Sequence, residues 1–113
     1  MDARLPAHLE VSGLIRRVNA EGGFAAVLAK GERDAGTILA VLTHNGASGR
    51  IYERMPDLDG TRKWRCTRRH DAEKPEDFQS YLDRRRVQDP DMWIVELDSA
   101  DPERFIGVEP DKG

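Results

Sequence analysis

The chain has 113 residues, 38% apolar and 35% charged, with a net charge of −3. That length suits about one domain, able to bury roughly 60–70% of the surface its unfolded chain exposes, and the pattern is too regular and too apolar for wholesale disorder. The single Cys66 excludes an internal disulfide, and the longest apolar runs, residues 24–29 and 38–42, are too short to cross a bilayer. With no apolar leader after Met1 and no lipidation motif at either end, the expectation is a soluble cytoplasmic protein with no membrane role.

In chain order, Val11, Leu14, Ile15 and Val18 recur at i, i+3, i+4 and i+7, one face of a helix. Ser12 is placed to cap its start and Gly22–Gly23 to stop it. Residues 24–30 read as a strand with small side chains on both faces, hence buried on both sides or closely packed, and 31–36 as turn chemistry bracketed by glycines. Residues 37–43 make a second strand, apolar enough for a central position covered on both faces. Asn45–Gly46, inside a loop over 44–49, is a strong hairpin signal. A third strand over 50–55, a turn over 56–60 and a fourth strand over 61–68 complete two antiparallel ribbons in the middle of the chain.

Pro75 fits the first position of a second helix, with Glu76 and Asp77 at the positive end of its dipole. Phe78, Tyr81, Leu82 and Arg85 share one face of it, and Asp89–Pro90 closes it. The last strand, residues 92–97, sets Trp93, Val95 and Leu97 against Met92, Ile94 and Glu96. From Asp98 an acidic tail carries an isolated Phe105–Ile106 pair, frayed or lightly docked. The order α-β-β-β-β-α-β predicts an α+β fold in one domain spanning residues 1–113. Its sheet is mostly antiparallel, of about five strands, with two helices segregated to one face.

Few motifs carry chemistry. Gly22, Gly23, Gly31 and Gly36 do not make a phosphate loop, because Gly22–Gly23 lies at the wrong end of a helix and no Gly-Lys-Ser/Thr follows; they read as turns and caps. Cys66, His70 and Asp71 suggest a nucleophile and its base. On a strand, however, four residues separate Cys66 from His70 by roughly 13 Å, and a lone half-buried Cys is usually core. His8, His44 and His70 are scattered, and Asp57 and Asp59 lack the ligand series of a calcium loop, so neither a metal nor a cofactor is expected.

The most suggestive segment is residues 62–70, with Arg62, Lys63, Arg65, Arg68 and Arg69 and no acid. On a regular strand Lys63, Arg65 and Arg69 form a basic ladder on one face, suited to phosphates, while Trp64 points to the other with Arg62, Cys66 and Arg68. The alternative is an exposed edge strand protected from aggregation by charge. Arg84, Arg85 and Arg86 are explained by the helix dipole and by Asp83 and Asp89, with merger into the basic strip left open.

Three segments carry a resemblance: residues 11–18 (Val-Ser-Gly-Leu-Ile-Arg-Arg-Val), residues 23–31 leading to Ala35–Gly36, and residues 89–97 (Asp-Pro-Asp-Met-Trp-Ile-Val-Glu-Leu). They resemble a family of small bacterial proteins, mainly alphaproteobacterial, labelled only as a domain of unknown function. The resemblance implies a similar size and supplies no activity, substrate or cofactor to carry over residue by residue, and it is weakest over residues 50–74, where the basic strip lies. The function read from the residues is a non-catalytic accessory or protein-binding module, pairing with a protein partner or with itself through a sheet edge or helix face. One alternative is a nucleic-acid-associated protein using Arg62, Lys63, Arg65, Arg68 and Arg69. The other is a small enzyme whose site assembles from loops around Cys66, His70 or Asp71.

Overall fold

The computed structural model describes residues 5–56 and 58–108, the side chains of Met55 and Pro56 excepted. The elements follow as α1 (Ala7–Ala20), β1 (Phe24–Ala29), β2 (Ile38–His44), β3 (Ala47–Pro56), β4 (Arg62–Arg69), α2 (Pro75–Gln88) and β5 (Trp93–Asp98). A 3-10 helix over Pro102–Ile106 ends the described chain. The α+β class, the element order and the mostly antiparallel five-stranded sheet are as expected. Asp57 of the 56–60 turn, the chain start at residues 1–4 and residues 109–113 of the acidic tail lie outside the described residues.

The strands lie in the order β1-β5-β2-β3-β4, with β5 parallel to β2 and every other pair antiparallel. The β2–β3 and β3–β4 ribbons are antiparallel as expected, whereas β1 and β2, adjacent in sequence, are not paired, because β5 is inserted between them. That position follows from composition. The strands β2 and β5 are apolar on both faces and need neighbours on both sides, and they fill the centre of the sheet. Alternation along β2 then divides the core. Ile38, Ala40 and Leu42 pack with Trp93, Val95, Leu97 and α1 on one face. Leu39 and Val41 pack with Ile94, Met92 and Leu82 of α2 on the other. The two helices thus cover opposite faces, not one face as expected, since an α2 on the α1 side would leave Leu39, Val41, Ile51 and Ile94 open to water.

Three local expectations change for physical reasons. The helix α1 starts at Ala7, and Ser12 is not its cap; the Ser12 hydroxyl donates to the His8 carbonyl 2.9 Å away, inside the helix. The orphan N–H groups of Ala7 and His8 are instead taken by the carbonyls of Asp34 (3.0 Å) and Arg33 (2.9 Å), a cap supplied by the β1–β2 loop. The strand β1 is an edge strand, with Phe24 60% exposed, and is not closely packed on both faces. The segment after β5 folds back so that Pro102, Phe105 and Ile106 are buried, the last two in the α1-side core.

Asn45 and Gly46 take positive φ (54° and 76°), as the β2–β3 hairpin turn requires. Their N–H groups donate to the Asp98 carboxylate at 2.8 and 2.7 Å. Gly31 and Gly36 are explained by close approach to the Asp91 carbonyl, not by ligand binding: a Cβ on Gly31 would sit 2.2 Å from that oxygen. Because this neighbour is backbone and cannot rotate away, Gly31→Ala is expected to destabilise by about 3 kcal/mol. A urea midpoint equal to that of the parent would contradict the packing described.

Candidate anion-binding face

The strand β4 forms the second edge of the sheet, so the basic strip does lie on an edge. Its alternation is not regular. Tyr52 stands opposite Cys66 but Ile51 stands opposite Arg68, so Thr67 is an extra residue, a bulge, and every side chain beyond it changes face. Lys63 and Arg65 keep the α2 side, where Arg65 faces Glu53. Arg68 joins them, its guanidinium 4.7 Å from the centre of the Tyr81 ring. Arg69 passes to the α1 side opposite Arg50. The expected ladder of Lys63, Arg65 and Arg69 is therefore divided, and Arg68 takes the place of Arg69. Arg62, Trp64 and Cys66 remain on the α1 side, where Arg54 stacks on Trp64 at 4.7 Å.

The face is built on Glu53. Ile51 and Glu53, two apart on β3, point toward α2, and the carboxylate is only 8% exposed. Arg85 donates to one of its oxygens through Nε and Nη2, at 3.0 and 2.9 Å. The other oxygen accepts from the Thr67 hydroxyl at 2.7 Å and from the Tyr81 hydroxyl. The bulge is what aims Thr67 at it. Arg85, expected to pair with Asp83 and Asp89, thus has Glu53 as its principal partner. Such a fork-on-carboxylate pairing is the strong form of a charged hydrogen bond.

With its hydroxyl held by Glu53, Tyr81 presents its ring to two cations, Arg68 from β4 and Arg84 from α2 at 5.9 Å. Among the described residues neither guanidinium has a carboxylate in ion-pair range. The basic segments of β4 and α2 therefore do merge, at Tyr81. A guanidinium resting on an aromatic face loses little freedom when an anion arrives, so the site is partly prearranged for carboxylate or phosphate.

The other expected chemistry is not assembled. Cys66 is exposed, not half-buried, and lies on the α1 side, whereas the His70 ring meets Phe78 of α2 edge-on at 6.0 Å. Nucleophile and base are on opposite faces of the sheet. Among the described residues no group of three or more His, Cys, Asp or Glu stands where it could hold a metal ion. No helix there is long and apolar enough to cross a membrane.

Tyr81, Glu53 and Arg84 were not singled out from sequence as site residues. One signal was available, since a glutamate two residues from Ile51 on a strand puts a carboxylate on an apolar face, where it needs a cation. A second buried glutamate mirrors the first. Glu103 of the 3-10 helix is bound by Arg50, with Nη2 to Oε1 at 2.7 Å and Nε to Oε2, and by the Tyr52 hydroxyl at 3.5 Å.

Residues 5–107 match the family described as "Protein of unknown function (DUF1491)". A crystal structure of a DUF1491 family protein from Caulobacter crescentus CB15 is 31% identical with a TM-score of 0.79, covering 92% of this chain and 96% of that one. The solution structure of protein Atu0922 from A. tumefaciens is 28% identical with a TM-score of 0.75, covering 96% and 98%. An NMR structure of a DUF1491 protein from C. crescentus is 32% identical with a TM-score of 0.77, covering 96% and 97%. No curated protein matches the chain. The resemblance to a small alphaproteobacterial family of unknown function is borne out.

Burial pushes the Glu53 carboxyl up, but hydrogen bonds from Tyr81, Thr67 and Arg85 outweigh it and hold it below the ordinary value. The hydrogen bond from Arg50 does the same for Glu103 against its burial. A folded-state pKa below the unfolded value means a contribution complete above about pH 4.3 and lost as pH falls through the depressed value. Stability to urea is therefore expected to hold from neutral pH to about 4.3 and to decline steeply below it. Glu53→Gln should cost about 3 kcal/mol at pH 7, because Arg85 is left unpaired, and should make the acid decline shallower. An acid decline of the same slope in Glu53→Gln would show that this carboxylate is not one of the groups responsible.

Proposed function

The chain belongs to the DUF1491 family, whose description stops at unknown function, and we propose that it is a non-catalytic binding module that engages an acidic protein segment through the α2–β4 face. The observation that carries this is the pair of guanidiniums, Arg68 and Arg84, resting on one tyrosine ring with no carboxylate partner among the described residues. Elsewhere the buried charges are matched within the chain: Glu53 takes Arg85 and Glu103 takes Arg50. A cluster left unmatched while its supporting acid is neutralised presents net positive charge to a partner.

An acidic protein segment fits better than nucleic acid for a geometric reason. Single strands are held by stacking bases on aromatic rings beside a cationic track. Here Trp64 lies on the opposite side of the sheet, stacked on Arg54, and the Tyr81 ring is already engaged by Arg68 and Arg84. Cations without a free stacking surface suit carboxylates, each able to take a guanidinium fork. Lys63 and Arg65 extend the same face along the edge, and Arg62 and Arg69 border it from the other side.

The test compares a capped Glu-rich peptide with an oligothymidylate of equal charge, titrated into the protein at about 50 mM salt. The peptide is expected to shift the resonances of Arg68, Tyr81 and Arg84, and its affinity should fall with added salt. Arg68→Glu and Arg84→Glu, both at exposed positions, should each weaken it about tenfold, or about 1.4 kcal/mol, without changing the thermal midpoint. Tighter binding of the oligonucleotide would transfer the face to nucleic acid. Absence of binding by either ligand at low salt would leave these cations a solubility role and remove the proposal.

A further inference from the structure

On the α1 side a groove of about 540 Å³ runs between α1, Trp64 of β4 and the 3-10 helix. It has nothing to do with the cationic face, and three features of it are otherwise unexplained. The first is a second stripe on α1. Ala7, Val11, Leu14 and Val18 are spent on the core, yet Leu9, Gly13 and Arg17, four residues apart in turn, line the groove. Leu9 is 49% exposed, and Leu5 just before the helix is 61% exposed.

The second is Gly13 itself. Glycine in a helix interior costs about 1 kcal/mol relative to alanine, and some tight contact normally accounts for it. None does here, because a Cβ built on Gly13 meets nothing within 4 Å. The gap lies on the groove wall, between Leu9 and Arg17, and lets another backbone come close. Helix axes can approach to about 8 Å only where the residues in contact are small.

The third is the charge at the rim. Glu10 is bound by Arg54 at 2.6 Å, and Glu21 by Arg104 at 2.6 Å. Arg17 reaches only the Phe105 carbonyl, at 3.4 Å, and the Phe105 ring, at 5.5 Å. Among the described residues it has no carboxylate in ion-pair range. Counted over the described residues, the rim thus carries one positive charge more than negative.

We propose that this groove docks an amphipathic α-helix of a partner protein, its apolar stripe laid across Gly13 onto Leu9, Trp64 and Ile106, with one carboxylate on Arg17. A helix fits because the groove runs along α1 and its wall is mostly apolar, with Glu10 already paired to Arg54 and Arg17 toward one end, the arrangement of helix-in-groove recognition. A second copy of α1 fits less well, since its own stripe of Leu9, Gly13 and Arg17 supplies no acid for Arg17 in either direction.

The probe is a capped peptide of about four helical turns, with leucines at i, i+3, i+4 and i+7 and a glutamate flanking them. Controls are the same peptide with lysine for glutamate, and decanoate. Amide and indole resonances of residues 9, 13, 17, 64 and 104–107 are followed during titration. The glutamate peptide should bind saturably, and the lysine peptide about tenfold more weakly. Gly13→Leu should abolish binding while keeping or raising the thermal midpoint, because the new side chain meets open space inside its own molecule. Arg17→Glu should reverse the preference between the two peptides. The proposal fails if neither peptide saturates by about 1 mM, or if Gly13→Leu binds as the parent does. Tighter binding of decanoate than of either peptide would make the groove an acyl-chain site and overturn it equally.

Discussion

The structure depends on one carboxylate more than on any other single group. The helix α2 contributes a single fully buried side chain, Leu82, with Phe78 and Tyr81 half-covered, so apolar contact alone holds it lightly. Glu53 adds what is missing. Reaching it are Arg85 and Tyr81 from the helix and Thr67 from the bulge of β4, so one buried carboxylate joins β3, β4 and α2. A charge in that position would be costly if any partner were absent, which makes the arrangement close to all-or-none. Its counterpart on the other face joins β3 to the 3-10 helix through Arg50, Tyr52 and Glu103. The strand β3 is thus pinned from both sides by alternate residues, 50 and 52 against 51 and 53.

The same economy governs the sheet edges. An exposed strand invites pairing by its free backbone groups unless something spoils it. The edge β4 is spoiled by charge and by the Thr67 bulge. The edge β1 carries no charge and exposes Phe24 and Leu28, yet it too is blunted: its register slips between Val27 and Ala29, and the Ala25 N–H donates to the Asn19 side chain at 3.2 Å. Self-association by strand addition at β1 would have to displace that amide and bridge the slip. Both edges are thus blunted against strand addition, one by charge and a bulge, the other by a register slip and an occupied amide.

How much of this was legible depended on how local the cause was. The continuous apolar run at 38–42, the Asn45–Gly46 turn, Pro75 opening α2 and the two-faced alternation of residues 92–97 act within a few residues, and all appear as read. Strand order, the opposite faces of the helices and the start of α1 were not legible, because each is decided by a distant partner. The cap of α1, for example, is a pair of carbonyls some 25 residues away. The basic strip shows the limit most clearly. Its residues and its edge position were legible, but a one-residue bulge, produced by pairing with β3, exchanged Arg68 for Arg69 on the α2 side. Period-2 reasoning carries no signal for where a strand gains a residue.

Composition alone also misjudges the charges. With 21 acids against 18 lysines and arginines, the chain is mildly acidic. Pairing inverts it locally. Glu53, Glu103, Glu10 and Glu21 each hold an arginine, while Asp98 accepts from the hairpin N–H groups and from Thr43. These acids are committed to building the fold. Arg68, Arg84 and Arg17 have no such commitment among the described residues, and each is held against an aromatic ring that fixes its direction. Within a Debye length of about 8 Å an incoming anion responds to those nearby guanidiniums and little to the net charge. A chain that is acidic overall can therefore be locally cationic at two places, because among the described residues the acids nearest to them are already paired from within.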